Sequence, residues 1–488
     1  MSAVDTSLAA AGARRPTTAT RLDRAEILFA LAAFVALCAM ALSFAPRLVE
    51  PDDHAYQASI VGITQGHWLT LSTAQADALG RQLGSPGGGV PQIQLPPKQS
   101  SQQTIRHSGP GITEGAPPVI TQWAQLPSGR WISQKDPGYP FLAALFQELS
   151  IIRLTPLFYG ALGCLGLFFG ARRWLGRFGG GAAVGLYCTS GAALLFAWRD
   201  YMPTFTDASL IAAGTGALLW AVLAAEATTR RRTWVGLAGF AALEAATFTR
   251  YTDIVVLGCA AVAVAVAWRL RKVPTVALAW WLGSIVVFGA GLAVFNDLVY
   301  GGPLKSGYQP GLIQFSPSAI GTNLRYMPAH LLEAMPMLLL ALAAFVWIII
   351  RWARLRRTDG EPAAATRRDL AVGLALAACW FGVWGLYSAY TWTANGYATT
   401  LQAARFYVPA LGAIALLGAW LLVRVPSRST VSAATSVAVV ATMFGLGVWA
   451  FGDMRVNQGP RMIQIQQGPG GAVRSPVPGQ PSSTRPPA

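Results

Sequence analysis

Charge is what this sequence lacks. Only 12% of its 488 residues are Asp, Glu, Lys or Arg, about half of the roughly 25% usual in a soluble domain. So little charge excludes a soluble globular enzyme, and a hydrophobic content of 53% excludes a disordered chain. Cysteine is scarce as well. Cys38, Cys164, Cys188, Cys259 and Cys379 each fall inside an apolar run, which excludes a secreted disulfide scaffold and reads as small buried hydrophobes. Lysine is nearly missing: only four of the 37 basic residues are Lys, at 98, 135, 272 and 305. With abundant Ala and Gly, this fits the codon bias of a GC-rich bacterium.

What the chain has instead is apolar runs of about 20 residues, each long enough to cross a hydrocarbon core of roughly 30 Å. They predict an all-α polytopic membrane protein with eleven spans: 26–46, 154–170, 180–198, 207–225, 233–248, 253–268, 275–297, 331–350, 370–390, 404–423 and 431–451. The first run follows Arg14, Arg15, Arg21 and Arg24 and has no small-residue cleavage site, so it reads as a retained helix rather than a signal peptide. The net charge of +16 does not indicate nucleic acid, because the cations form short clusters between apolar runs rather than a groove. These clusters are Arg172/Arg173/Arg177, Arg230–Arg232, Arg269/Arg271/Lys272, Arg351–Arg368 and Arg424/Arg428, and they alternate with sparsely basic connections. The positive-inside rule then puts residues 1–25 and every cluster in the cytoplasm. The opposite side receives a long first loop (47–153), 199–206, 249–252, 298–330, 391–403 and a tail from 456 to 488. Within the first loop, 72–130 is rich in Gly, Pro, Gln and Ser and reads as flexible at least in part; the tail reads as disordered.

The few charges on the sparsely basic side sit at helix ends. After the first span comes Glu50-Pro51-Asp52-Asp53-His54-Ala55-Tyr56. Three carboxylates so close repel one another, which is expected to raise the pKa of at least one and suits a general base or a cation ligand. A solvated acidic turn is the plainer reading. Further on, Lys135-Asp136-Pro137-Gly138-Tyr139-Pro140 places a lone lysine before a turn and an apolar stretch; an ammonium there suits a lipid phosphate, with ordinary snorkelling the alternative. Arg199-Asp200-Tyr201 with Asp207, and Thr249-Arg250 with Asp253, read equally as ion pairs at helix ends. Lys305 and Tyr308 occupy an outward turn, and Arg405-Phe406-Tyr407-Val408-Pro409 opens a late span. A charge at the mouth of an apolar helix is expensive and points to function. One acidic cluster and several separate cations thus share one membrane face.

Pro51-Asp52-Asp53-His54-Ala55-Tyr56 followed by Gly66-His67-Trp68 resembles the first-loop pattern of GT-C fold lipid-linked sugar transferases: an acidic pair, a Tyr three residues later, then Gly-x-Trp. It looks most like the bacterial enzymes that move aminoarabinose onto lipid A, with protein O-mannosyltransferases more distant. Lys135 with Pro137-Gly138-Tyr139 is similar to their Lys-Pro…Gly-Tyr element, Thr249-Arg250 stands where they carry Thr-Lys, and Arg405-Phe406-Tyr407-Val408-Pro409 is similar to their Arg-aromatic-x-x-Pro. The layout covers most of the chain, the motifs only about 40 residues. Asp53 departs from the usual Glu, the 72–130 insertion separates Lys135 from the acids, and the family's second-loop aspartate corresponds to either Asp200 or Asp207. The resemblance implies a polyprenyl-phosphate sugar donor and an acceptor hydroxyl on a glycan, lipid or protein. It also implies a catalytic Asp52 as base, assisted by Asp53, with the donor phosphate held by Lys135, Arg250 and Arg405. Substrate contacts would fall to Glu50, His54, Tyr56, Tyr139, Asp200, Asp207, Lys305 and Tyr308. Relatives split on metal use, and a single acidic cluster does not demand a metal. A transporter or flippase is the alternative. Transport sites lie near the bilayer midplane, whereas the spans here are nearly free of charge apart from Glu244.

Overall fold

The computed structural model describes residues 23–45, 51–83, 122–126, 128–308, 314–355, 361–394, 399–424 and 429–455. Glu50, most of the 72–130 segment and the tail beyond 455 lie outside them.

The described chain is helical apart from one small sheet. Its helices are α1 (Arg24–Leu42), α2 (Pro51–Thr64), α3 (Thr73–Leu83), α4 (Gly138–Glu148), α5 (Thr155–Leu175), α6 (Gly179–Thr189) and α7 (Gly191–Trp198). There follow α8 (Thr204–Leu223), α9 (Thr229–Thr249), α10 (Ile254–Arg269), α11 (Thr275–Tyr300), α12 (Ile320–Ala334), α13 (Leu338–Leu355) and α14 (Glu361–Ser388). The last are α15 (Thr391–Ala394), α16 (Thr400–Tyr407), α17 (Leu411–Arg424) and α18 (Ser429–Asp453). Strands β1 (Thr70–Leu71), β2 (Trp123–Gln125) and β3 (Trp131–Ser133) form an antiparallel sheet in the order β1-β3-β2, with Thr70 opposite Ile132 and Ala124 opposite Ile132 on the other side.

Among the described residues nine helices are long and apolar enough to cross a membrane, and the pair α6 and α7, bent by 63° at Ser190, brings the number to ten. The eleven expected spans include α9, which fails that test because Arg230–Arg232 and Glu244 dilute its hydropathy. Its two ends are nevertheless tied to other elements. At its start Arg232 donates to the carbonyls of Ala221 (2.8 Å) and Lys272, and just past its end Arg250 donates to the carbonyl of Arg405 (2.8 Å). The described residues of the basic clusters gather at one end of the bundle, where Arg173 and Arg368 both reach Leu223, Arg232 reaches Lys272, Arg367 reaches Leu355 and Arg424 reaches Trp174. There Glu26 is buried in an ion pair with Arg172 and accepts from the Gly180 N–H at 3.0 Å, and Arg424 bridges Asp369 at 3.1 Å. The acidic motif and the other loop charges gather at the opposite end.

Two further expectations are corrected. The span read as 331–350 is two helices, α12 and α13, because the chain turns at Met335-Pro336-Met337. The polar stretch from 72 is not all loop: Ala76 and Leu79 of α3 pack with Leu71, Trp123 and Trp131 into a small separate core, which fixes α3 and β2 there.

Close approach is built from small residues. A Cβ at Gly166 of α5 would stand 2.6 Å from Ala213 Cα on α8, the small-residue helix contact typical of membranes. At Gly138 it would meet the Phe248 carbonyl carbon and Thr249 nitrogen, both at 2.5 Å. Glycine there lets the start of α4 sit directly on the end of α9, which brings Asp136 beside Arg250.

Candidate active site

Successive residues on an α-helix diverge by about 100°, and the first turn of α2 uses that divergence. Asp52 and Asp53 face opposite sets of partners. Asp53 is 1% exposed and pairs with the equally buried Arg199 at 2.6 Å. Asp52 keeps some access, its side chain 14% exposed, and carries two cations, one on each oxygen: Lys135 Nζ at 2.8 Å and Arg405 Nη1 at 3.1 Å. The Gln122 amide adds a further hydrogen bond. Burial opposes ionisation of Asp52, but Lys135 and Arg405 outweigh it and hold the carboxyl well below the usual range. The expectation that repulsion within the acidic cluster raises a pKa is therefore overturned for Asp52, since opposite charges reach it more closely than like ones do.

Each cation is in turn positioned by aromatic rings. Lys135 Nζ lies 5.4 Å from the Tyr308 ring centroid, a cation–π contact. Tyr308 is brought there by Gly307, where a Cβ would fall 2.5 Å from the Ser133 carbonyl oxygen. The Arg405 guanidinium lies 5.2 Å from Trp392 and 4.6 Å from Phe406. Arg250 does not join Asp52. It bonds the backbone carbonyl of Arg405 and sits over Tyr387 at 5.2 Å and Phe406 at 5.4 Å, so it holds the last turn of α16, which carries Arg405.

The remaining predicted residues divide between this centre and its surroundings. Tyr56 meets Tyr139 edge-on at 5.8 Å, and the Tyr139 hydroxyl donates to the Asp200 carbonyl. His54 is fully buried, and burial lowers its pKa to about 4, so it stays neutral. Asp200 falls on the Asp53 side near Arg153, whereas Asp207 meets Asp253 at the mouths of α8 and α10 beside Arg250. Lys305 is exposed on its turn, where its backbone N–H donates to the Gly302 carbonyl at 3.0 Å and its side chain lies against Gly302. Residues that the sequence left unmarked also contribute: Gln122, which has a left-handed backbone (φ 56°), Arg153, Trp392, and Asp136. Among the described residues no three His, Cys, Asp or Glu side chains converge to hold a metal ion.

Asp136 gives a pH-dependent signature. Burial raises its pKa to about 7 against the opposing pull of Lys135 and Arg250. The folded chain therefore keeps a proton that the unfolded chain loses near about 4, and stability is expected to fall as pH rises through about 7. Asp200, also raised by burial to about 7, acts in the same direction. Thermal unfolding in detergent between about pH 5 and 8 should show this decline, and Asp136→Asn should flatten it. An identical decline in the variant would exclude Asp136 as its source.

Fold and site together define a polytopic membrane protein with a carboxylate–dication centre at the end of its bundle remote from the basic clusters. No protein-family model matches the sequence, and no curated protein matches it. Among solved structures the chain is similar to ArnT from Cupriavidus metallidurans bound to undecaprenyl phosphate, with 15% identity, a TM-score of 0.47, and coverage of 85% of this chain and 63% of that one. It is also similar to the apo oligosaccharyltransferase of Archaeoglobus fulgidus, with 10% identity, a TM-score of 0.49, and coverage of 92% and 61%. The chain thus spans less than two thirds of the length of either.

Proposed function

We propose that this protein is a bacterial cytoplasmic-membrane glycosyltransferase that moves a sugar from a polyprenyl phosphate to an acceptor hydroxyl on the extracytoplasmic face. The observation that carries this reading is the Asp52 centre, a carboxylate with residual access between two largely buried cations. Its place at the membrane end opposite the basic clusters supports an extracytoplasmic orientation under the positive-inside rule.

The chemistry needs both charges. The acceptor oxygen attacks the anomeric carbon, its proton passes to Asp52, and the bond from that carbon to the phosphate oxygen breaks. The electron pair leaves with the phosphate and the sugar inverts. The departing polyprenyl phosphate gains negative charge, and preorganised cations aimed at it stabilise the transition state by roughly 3–4 kcal/mol per donor in comparable sites. Lys135 and Arg405 fill that role, while Arg250 positions Arg405. Asp53, locked to Arg199, fixes the turn that presents Asp52. No step in this scheme calls on a metal. The acceptor is a glycan, lipid or protein hydroxyl, and the sugar is a hexose or pentose.

Purified protein in nanodiscs, given a panel of short-chain polyprenyl-phosphate sugars and a crude envelope extract, is expected to release polyprenyl phosphate and glycosylate a component of the extract. If no donor turns over while a lipid-linked sugar changes leaflet, the protein is a flippase and the transferase reading fails.

A further inference from the structure

The cations assigned to the donor phosphate are already occupied. Lys135 and Arg405, from positions 270 residues apart in the chain, close on the two oxygens of a single carboxylate at 2.8 and 3.1 Å. Their side chains are only 9% and 11% exposed, so water cannot easily replace Asp52 as their partner. An isolated cation in so buried a place is costly. A phosphate that binds them must therefore compete with Asp52, and a carboxylate that serves as base must first be released by them.

We propose that Asp52 is a resident anion that occupies the phosphate site between turnovers, and that arrival of the isoprenyl phosphate draws Lys135 and Arg405 off it and frees its carboxylate to accept the acceptor proton. This inference rests on the transferase reading and adds an order of events to it. In the resting protein the base is tied up, so water and stray hydroxyls meet no free carboxylate. Donor phosphate takes the cations, and Asp52 is left with Gln122 as a neutral neighbour. Once Asp52 has taken the proton it carries no charge and cannot win the cations back. Release of that proton to water, which the 14% exposure of the Asp52 side chain admits, restores its charge, and renewed pairing with Lys135 and Arg405 displaces the phosphate product. The same two ion pairs thus guard the base before the reaction and expel the product after it.

The exchange makes an unusual prediction: removing a residue of the site should tighten binding of phosphate. The test titrates farnesyl phosphate, with inorganic phosphate in parallel, into wild type and Asp52→Asn in nanodiscs. Asp52→Asn is expected to bind at least about tenfold more tightly, about 1.4 kcal/mol, since phosphate no longer has to displace a charged rival from two charge-assisted pairs. Tightening toward either ligand supports the exchange. Equal or weaker binding by a folded Asp52→Asn overturns it. If wild type itself binds farnesyl phosphate normally in that case, the donor reading survives and only the exchange falls; if wild type binds neither ligand, both fall. Because Asp52→Asn replaces the charged partner of two buried cations with a neutral one and risks misfolding, a structure of wild type with farnesyl phosphate bound gives the second measurement. Lys135 Nζ and Arg405 Nη1 should have moved off Asp52 onto the phosphate. A bound phosphate with both Asp52 ion pairs intact overturns the proposal whatever the variant does.

Discussion

Asp52→Asn is expected to lower sugar transfer by about 10²–10⁴-fold, the range attributable to a positioned general base, while donor is still bound. The amide keeps the size of the side chain and can still accept a hydrogen bond from one cation, but it cannot take a proton. Geometry singles out Asp52 for this role. Its side chain is 14% exposed and lies against both candidate phosphate ligands, whereas Asp53 is 1% exposed and committed to Arg199. The measurement is single-turnover release of polyprenyl phosphate with saturating acceptor, alongside thermal unfolding to confirm that the variant folds. A loss confined to the chemical step assigns the base. A folded variant as active as wild type moves the base elsewhere. Asp200 would be the next candidate, because burial already raises it to about 7, near the pH at which the enzyme would work.

Some of this centre was legible in the sequence and some was not, for identifiable physical reasons. The acidic pair, Lys135 and Arg405 stood out because charges are rare here and each of these marks the mouth of an apolar helix. Their meeting did not, because nothing in the local sequence couples Asp52 to an arginine 353 residues away. The split between Asp52 and Asp53 was hidden by adjacency: neighbours in a motif look alike, yet the rotation of about 100° between successive helical residues sends them to different partners. Arg250 was read as a phosphate ligand from its place in the pattern, whereas its side chain bonds a backbone carbonyl, lies over two rings and faces Asp207 and Asp253. In the fold, alternation of basic clusters anticipated an all-helical bundle with cations at one end, whereas the spans it expected, eleven with α9, exceed the nine or ten helices that are long and apolar enough among the described residues. The break at Met335-Pro336-Met337 was missed because hydropathy runs straight through it, although Pro336 marks it. The small sheet was missed because Trp123, Trp131, Leu71 and Leu79 are too dispersed along a polar stretch to show a period.

The second large effect concerns stability. Arg199→Ala is expected to destabilise the protein by about 3–5 kcal/mol, the cost of leaving one partner of a buried ion pair uncompensated. Arg199 and Asp53 are 0% and 1% exposed, and Arg199 packs 5.6 Å from the Phe196 ring, so neither charge can turn to water when the other is removed. The pair joins the start of α2 to the end of α7, and its loss frees the turn that aims Asp52. Replacing both residues by apolar ones, as in Asp53→Leu with Arg199→Met, removes the uncompensated charge and should recover most of the stability lost in Arg199→Ala, since such exchanges are often neutral or favourable. Thermal unfolding of the two variants in the same detergent tests this, and a double variant no more stable than Arg199→Ala would contradict it. The double variant also separates two roles for Asp53. If Asp53 only anchors the turn, the apolar pair keeps Asp52 in place and most of the transfer activity survives. If the fold is restored while transfer drops as far as in Asp52→Asn, then Asp53 touches the acceptor and the anchoring role assigned to it is wrong. We expect the first outcome, because a carboxylate bonded at 2.6 Å to a fully buried guanidinium has no open side from which to meet a substrate.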